Sequence, residues 1–308
     1  MTGFPVELLF SIPALFLLGL MVGSFLNVVA HRLPLMMERQ WWSDVAHQLG
    51  DEDSHRRVFS AASDPAAGML SVEIAKRIES LPPLGLSRPR SRCPHCSHVI
   101  RWYENIPVFS WLWLRARCSG CGVTISGRYP AIELLCGLLF GATAWRYGAT
   151  PEAVLHCAWV AGLLALSLID WDTTVLPDNI TQPLLWAGLA VSGLGWTIPW
   201  QAALWGAVAG YLSLWSVYWL FKLATGKEGM GFGDFKLLAV LGAWLGWQAL
   251  LPIIMLASVL GALVGLAMKA TGSLREGRYV PFGPFLAGAG FAVMLIETEP
   301  LLSLLGWT

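Results

Sequence analysis

From Tyr129 onward, apolar runs follow one another with only a few residues between them, and this succession limits the fold more than any other feature of the chain. A run of about 20 apolar residues crosses a bilayer as a helix, with its backbone groups bonded internally. Such runs fall at 130–147, 152–170, 179–197, 202–223, 235–249, 251–269 and 283–303. An eighth, Val6 to Ala30, precedes them. Glu7 is its only early charge, and it has neither a basic start nor a small-residue cleavage pattern, so it reads as an uncleaved first helix. That helix is expected to stop between Asn27 and Leu33, where His31, Arg32 and Pro34 gather. Composition agrees: 56% of the 308 residues are hydrophobic and 13% charged, against about 25% charged in soluble domains. The expected fold is an all-α polytopic membrane protein with about eight transmembrane helices. Its parts are a first helix (1–30), a polar insertion (31–129) and a seven-helix membrane domain (130–308).

The insertion holds thirteen of the twenty Lys and Arg residues, with nine Asp and Glu. Its apolar residues are too sparse for a span, although Val72 to Leu81 reads as a short amphipathic helix before the turn Leu81-Pro82-Pro83. Basic loops stay on the cytoplasmic side of a membrane, which places the insertion inside. The loops around Asp170–Asp178, Lys222–Asp234 and Lys269–Arg278 then face inside as well, and the outward loops carry only Arg146. Trp145, Trp196, Trp200, Trp247 and Trp307 lie near run ends, as interfacial anchors do. Gly206, Gly210, Ser213 and Ser216 would let one run pack closely against another. Membrane lipid is the expected surrounding. The basic residues alternate with acids and form no stripe, so no nucleic-acid partner is expected.

Two CxxC knuckles, Cys93-Pro-His-Cys96 and Cys118-Ser-Gly-Cys121, are separated by 21 residues. Two tight turns carrying four thiolates make the tetrahedral sulfur set that zinc takes in structural sites. A disulfide or redox pair is the competing reading, and a reducing cytoplasm disfavours it. Cys93, Cys96, Cys118 and Cys121 are therefore the expected zinc ligands. His95 and His98 read as surface residues of the knuckles, and Cys136 and Cys157 as apolar residues of their runs.

The octet Gly229-Met-Gly-Phe-Gly-Asp234-Phe-Lys236 interrupts the apolar sequence, as does Ile169-Asp170-Trp-Asp172. Acids at membrane depth are costly unless wet, paired or functional. Asp170 and Asp234 would face each other at one membrane level. Two carboxylates sharing a proton can run a hydrolysis, one as base on water and the other as acid. The same residues would also suit a cation or proton path in a transporter. Asp172 and Asp178 lie further toward water, and Asp178 reads as the N-cap of the following helix.

Across nearly its whole length the chain resembles bacterial prepilin peptidases, also called type IV leader peptidases, which are membrane aspartyl proteases of the GxGD type. The resemblance rests on Gly23-Ser-Phe-Leu-Asn-Val-Val29, His31-Arg-Leu-Pro34, both CxxC pairs, Glu104-Asn-Ile-Pro107 and Arg128-Tyr-Pro130 with Glu133. It continues through Ile169-Asp170, Leu176-Pro177-Asp178, Gly231-Phe-Gly-Asp234-Phe-Lys-Leu237 and Pro281-Phe-Gly-Pro284. It implies that Asp170 and Asp234 are the catalytic pair and that the substrates are type IV prepilins and type II secretion pseudopilins, which lose a basic leader at the inner face of the inner membrane. It also implies methylation of the new N-terminus from S-adenosylmethionine. Glu104, Asn105 and Arg128, polar and beside the knuckles, are the candidates to line the donor site, or else they cap turns of the zinc module. Asp172, Asp178 and Glu228 either attract the basic leader or are solvated loop acids. The chain departs from the family pattern at Ala116, where relatives commonly carry Gly.

Overall fold

The computed structural model describes residues 8, 10–60, 65–272 and 280–296. Among these it is all-helical, without a β-strand; Arg92↔Val99 and Arg117↔Thr124 are isolated bridges. The end of the last expected run, together with Arg275, Arg278 and Trp307, lies outside the described residues.

The first helix, α1 (Ile12–Gly50), does not stop at the His31–Pro34 cluster but runs 39 residues with Pro34 inside it. Pro34 removes one intrahelical hydrogen bond, and tertiary contacts hold the helix on either side of it. Arg32 donates from Nη1 to the Gly85 carbonyl at 2.9 Å, and Arg39 to that of Pro82 at 2.8 Å. Ser71 donates from Oγ to the Ala46 carbonyl at 2.7 Å. Ser71 belongs to α3 (Pro65–Glu79), which lies along the polar half of α1 and extends well before the expected start at Val72. The expected boundary after residue 30 therefore falls within one continuous helix. Between them, α2 (Glu52–Phe59) is capped by Asp51, whose carboxylate accepts from the backbone of Asp53 and Ser54. The short α4 (Phe109–Trp113) lies between the knuckles.

Seven helices match the seven later runs: α5 (Arg128–Tyr147), α6 (Pro151–Thr173), α7 (Asp178–Gly193), α8 (Trp200–Thr225), α9 (Phe232–Leu245), α10 (Leu250–Ala270) and α11 (Gly283–Ile296). The break between α9 and α10 comes at Gly246, whose φ of 85° suits glycine, while Pro252 sits in the first turn of α10. Among the described residues, four helical segments are long and apolar enough to cross a membrane: Ile12–Gly50, Pro151–Thr173, Trp200–Thr225 and Trp247–Ala270.

The most enclosed helix is α9, which α7, α8 and α11 surround. Phe235, Leu237, Leu238, Val240 and Leu241 are all fully buried. With 14 residues it is about 21 Å long, short of the ~30 Å hydrocarbon core. On α8, Gly206 and Gly210 admit the α9 backbone: a Cβ at Gly206 would run into the Gly242 carbonyl, and one at Gly210 into that of Leu238. Here packing rather than hydrophobicity draws helices together, and overfilling such a contact costs about 1–3 kcal/mol. In the last turn of α9, Trp244 stacks on Trp159 of α6 at 5.7 Å and donates from Nε1 to the Leu184 carbonyl at 2.9 Å. Fixing that end of α9 leaves its N-terminus facing the C-terminus of α6.

Candidate active site

The chain turns out of α6 one residue past Thr173, where Thr174 takes a left-handed conformation (φ 56°) and donates its N–H to the Asp170 carbonyl at 2.8 Å. The Asp170 side chain is thus held in the last turn of α6, buried at 5% exposure. Its Oδ2 accepts the N–H of Gly283, the first residue of α11, at 3.0 Å. A helix N-terminus, with free N–H groups and the positive end of the dipole, suits a carboxylate. Only glycine permits this approach, because a Cβ at residue 283 would stand 2.6 Å from Oδ2.

Asp234 lies in the first turn of α9 behind the N-cap Gly231, and it too is buried. Gly233 before it packs on Leu176: a Cβ there would sit 2.8 Å from the Leu176 Cβ. The other side of Leu176 meets Gly283, with Cδ2 at 3.3 Å from the corresponding Cβ position. Leu176 is thus a wedge between two glycines, and three sequence motifs meet around it. Asp170 and Asp234 lie close enough for their charges to act on each other directly. Sequence reasoning did not assign Leu176 and Gly283 these positions, although both stand in motifs that it marked.

Among the described residues neither Asp170 nor Asp234 makes an ion pair, whereas the acids around them do. Asp172 takes two hydrogen bonds from Arg128, at 3.0 and 2.5 Å. Asp178 takes two from Lys236 Nζ, both at 2.7 Å. Glu228 takes one from Lys222 at 2.8 Å. The cap of α7 is Pro177, extended at ψ 129°, with Asp178 one residue inside the helix, where its carboxylate serves Lys236 rather than the backbone. The three acids expected either to attract a basic segment or to be solvated thus carry cations of the chain's own. A third buried acid, Glu133 on α5, accepts the Val108 N–H at 2.7 Å and pins the approach to α4.

The cysteines form a second centre. Each knuckle closes in the same way: Cys93 N–H donates to the His98 carbonyl and Cys118 N–H to the Val123 carbonyl, both at 2.9 Å. In each, the residue after the second cysteine is left-handed, Ser97 at φ 59° and Gly122 at φ 72°. The four sulfurs lie within 4.8 Å of one another, an arrangement able to hold a metal ion, and all six cysteines are free thiols. His98 is not a fifth member of the set. Its Nε2 meets Glu104 Oε2 and Ser119 Oγ, each at 3.1 Å, and ties the first knuckle to the second. The Arg101 N–H donates to Glu104 at 2.8 Å. With Ser119 and His98, that bond holds the Glu104 carboxyl well below the usual range, at about 2. Asn105 is exposed at the end of the same turn, and Arg128 is engaged with Asp172.

Residues 17–147 match the bacterial peptidase A24 N-terminal domain, and residues 157–266 match the type IV leader peptidase family. A prepilin leader peptidase/N-methyltransferase of Stutzerimonas stutzeri is 49% identical over 94% of this chain and 94% of its own. The chain belongs to the type IV leader peptidase family. Enzymes of the same description from Pseudomonas putida and Pseudomonas aeruginosa are 50% and 48% identical, over 92% and 91% of this chain and 89% and 88% of theirs. No solved structure matches the chain significantly. The two matched stretches of the family meet physically at the Arg128–Asp172 pair.

Proposed function

We propose that the protein is a membrane aspartyl endopeptidase that removes the basic leader from type IV prepilins and type II secretion pseudopilins, and that it then N-methylates the new N-terminal residue. Asp170 and Asp234 are the catalytic pair in this reading. The observation that carries it is the pair itself: two buried carboxylates without an ion pair among the described residues, Asp170 accepting from the N-terminus of α11 and Asp234 in the first turn of α9, with Leu176 packed between the two helix starts. One carboxylate takes a proton from water as it attacks the scissile carbonyl. The other, protonated, supports the carbonyl oxygen and then passes a proton to the leaving nitrogen. The N–H of Gly283 orients Asp170 throughout. Arg128 pairs with Asp172 and Lys236 with Asp178, and the two cations keep these acids out of the chemistry.

The same reading places the protein in the bacterial inner membrane, with eight segments in the bilayer, α9 enclosed by the others, and the site at the cytoplasmic face. A basic leader would remain there while the apolar helix that follows it enters the membrane. Residues 31–129 form the cytoplasmic insertion and 130–308 the protease domain. The four cysteines of the insertion, Cys93, Cys96, Cys118 and Cys121, hold zinc: four thiolates at the usual Zn–S distance of about 2.3 Å stand about 3.8 Å apart, and Cys93–Cys121 and Cys96–Cys118 are separated by 3.8 and 3.9 Å.

S-adenosylmethionine would supply an electrophilic methyl group to the freed amine. Glu104, Asn105 and Arg128 offer a carboxylate, an amide and a guanidinium, which suit a cationic, zwitterionic donor. Glu104 and Arg128 would have to share their present protein partners with it. The deciding experiment incubates the purified protein with a prepilin and S-adenosylmethionine and weighs the product. A leader-length loss plus one methyl is expected. An unchanged mass would refute the protease and favour the transporter alternative. Glu104→Ala should lower methylation and leave leader removal intact.

A further inference from the structure

The two most exposed large apolar side chains among the described residues, Trp113 at 88% and Trp102 at 82%, both belong to the segment between the knuckles. Phe109 and Leu112 are exposed beside them. The segment is held in place: Val108 N–H donates to Glu133, and Trp111 Nε1 donates to the Ile125 carbonyl at 3.2 Å. With Trp111 turned inward, Phe109, Leu112 and Trp113 are left facing out.

The depth of this segment follows from its anchor. Glu133 lies five residues along α5 from Arg128, so at 1.5 Å per residue Val108 is held about 7.5 Å down the helix from its charged end. In-plane amphipathic segments sit about 5–10 Å into the headgroup–acyl boundary. At the same level α5 exposes Leu134, Leu135 and Leu138, so the patch continues an apolar helix surface. Charge points the same way. Arg115 and Arg117 are exposed and make no ion pair among the described residues, and Glu104 is the one acid between Arg101 and Arg117. Tryptophan favours the interface and arginine an anionic headgroup, whereas a basic leader would be repelled here.

We propose that residues 101–117 form a lipid-anchoring finger seated in the headgroup–acyl boundary of an anionic leaflet, which fixes the height of the cysteine module above the membrane. The test reconstitutes the full-length protein in nanodiscs of equimolar phosphatidylglycerol and phosphatidylcholine, with photoreactive benzoylphenylalanine in place of Trp113. Irradiation should give phospholipid adducts, with phosphatidylglycerol ahead by about fivefold, the factor for one basic residue near an anionic surface. The same group in place of Val58, exposed on α2, should give none. Adducts to a second copy, to added prepilin, or to no lipid at all would overturn the proposal. A second reading uses no crosslinker. Backbone amides of 105–114 should be protected from exchange in these nanodiscs and lose that protection in Trp102→Ser/Trp113→Ser; equal protection in both would also overturn it.

Discussion

The acid site and the cysteine module solve opposite problems. Around Asp170 and Asp234 the apolar scaffold is dense, with Phe235, Leu237 and Leu238 fully buried, and neither carboxylate has an ion-pair partner among the described residues. Burying a charge in this way is expensive, so only a rigid, well-packed frame can hold two buried acids. Between residues 93 and 127, by contrast, Cys93 is the only buried apolar residue, and Glu104, His98, Ser119 and Arg101 satisfy one another. Packing holds the first region and leaves its charges available. The second has almost no packing and gathers four sulfurs at its centre.

Removing the sulfurs should therefore separate the two regions most sharply. Structural zinc contributes about 10–16 kcal/mol of apparent folding free energy in small modules. With Cys93, Cys96, Cys118 and Cys121 all changed to Ser, metal analysis should fall from about one equivalent to none. Exchange protection in 93–127 should vanish while the α6 and α9 amides stay protected. Loss of protection in both regions together would mean that they are one cooperative unit.

The converse experiment acts on the acids. Asp170→Asn and Asp234→Asn should each reduce prepilin cleavage by about 10²–10⁴-fold, the scale of a lost general acid or base, with metal content unchanged. Asp172→Asn and Asp178→Asn remove half-exposed ion pairs, each worth about 0–1 kcal/mol, and should cost at most about fivefold. Near-normal turnover in either of the first two variants would end the assignment of the pair.

Gly283→Ala tests the frame rather than the charges. The added Cβ meets Asp170 Oδ2, whereas nothing lies within 4 Å of a Cβ at Gly288 on the same helix. Displacing a catalytic group by about 1 Å costs up to about 100-fold. The drop should appear in kcat with KM little changed, and Gly288→Ala should be silent. Equal effects at the two glycines would show that α11 does not position Asp170.

Much of this was legible in the sequence because it is local. Apolar runs gave the order of α5 to α11, the two CxxC pairs gave the sulfur cluster, and Gly206 and Gly210 marked the α8–α9 contact. What escaped was set by tertiary partners. Pro34 reads as a stop because the rule for proline considers one helix alone, and the contacts Arg32–Gly85, Arg39–Pro82 and Ser71–Ala46 that carry α1 past it join residues 53, 43 and 25 positions apart. Asp178 looked like a cap because nothing nearby in sequence reveals Lys236, 58 residues on. Leu176 and Gly283 escaped for the same reason, since a wedge is defined by what lies on both of its sides.

The smallest expected effect bears on the module's dependence on its sulfurs. Arg115 and Ala116 are both left-handed, at φ 51° and 57°. Backbone bonds hold the bend, with Ala116 N–H donating to the Trp111 carbonyl at 2.8 Å and Ile125 N–H to that of Ala116 at 2.7 Å. An L-residue in this conformation costs about 1–2 kcal/mol, which gives a physical reason for glycine at this position. Ala116→Gly relieves that strain but returns about 0.5–1 kcal/mol through the freer unfolded chain. The net gain is about 0.5–1 kcal/mol. If the module folds around a metal, as the zinc proposal requires, the gain should appear as about two- to fivefold tighter metal binding in chelator competition. Ala116→Val, β-branched in the same conformation, should shift binding the other way. Cleavage should not change in either variant, because the acid site is held by its own packing. If Ala116→Gly left metal affinity unaltered while Ala116→Val changed the cleavage rate, the bend would belong to the acid site's frame, and the division between a packed region and a cross-linked one would fail.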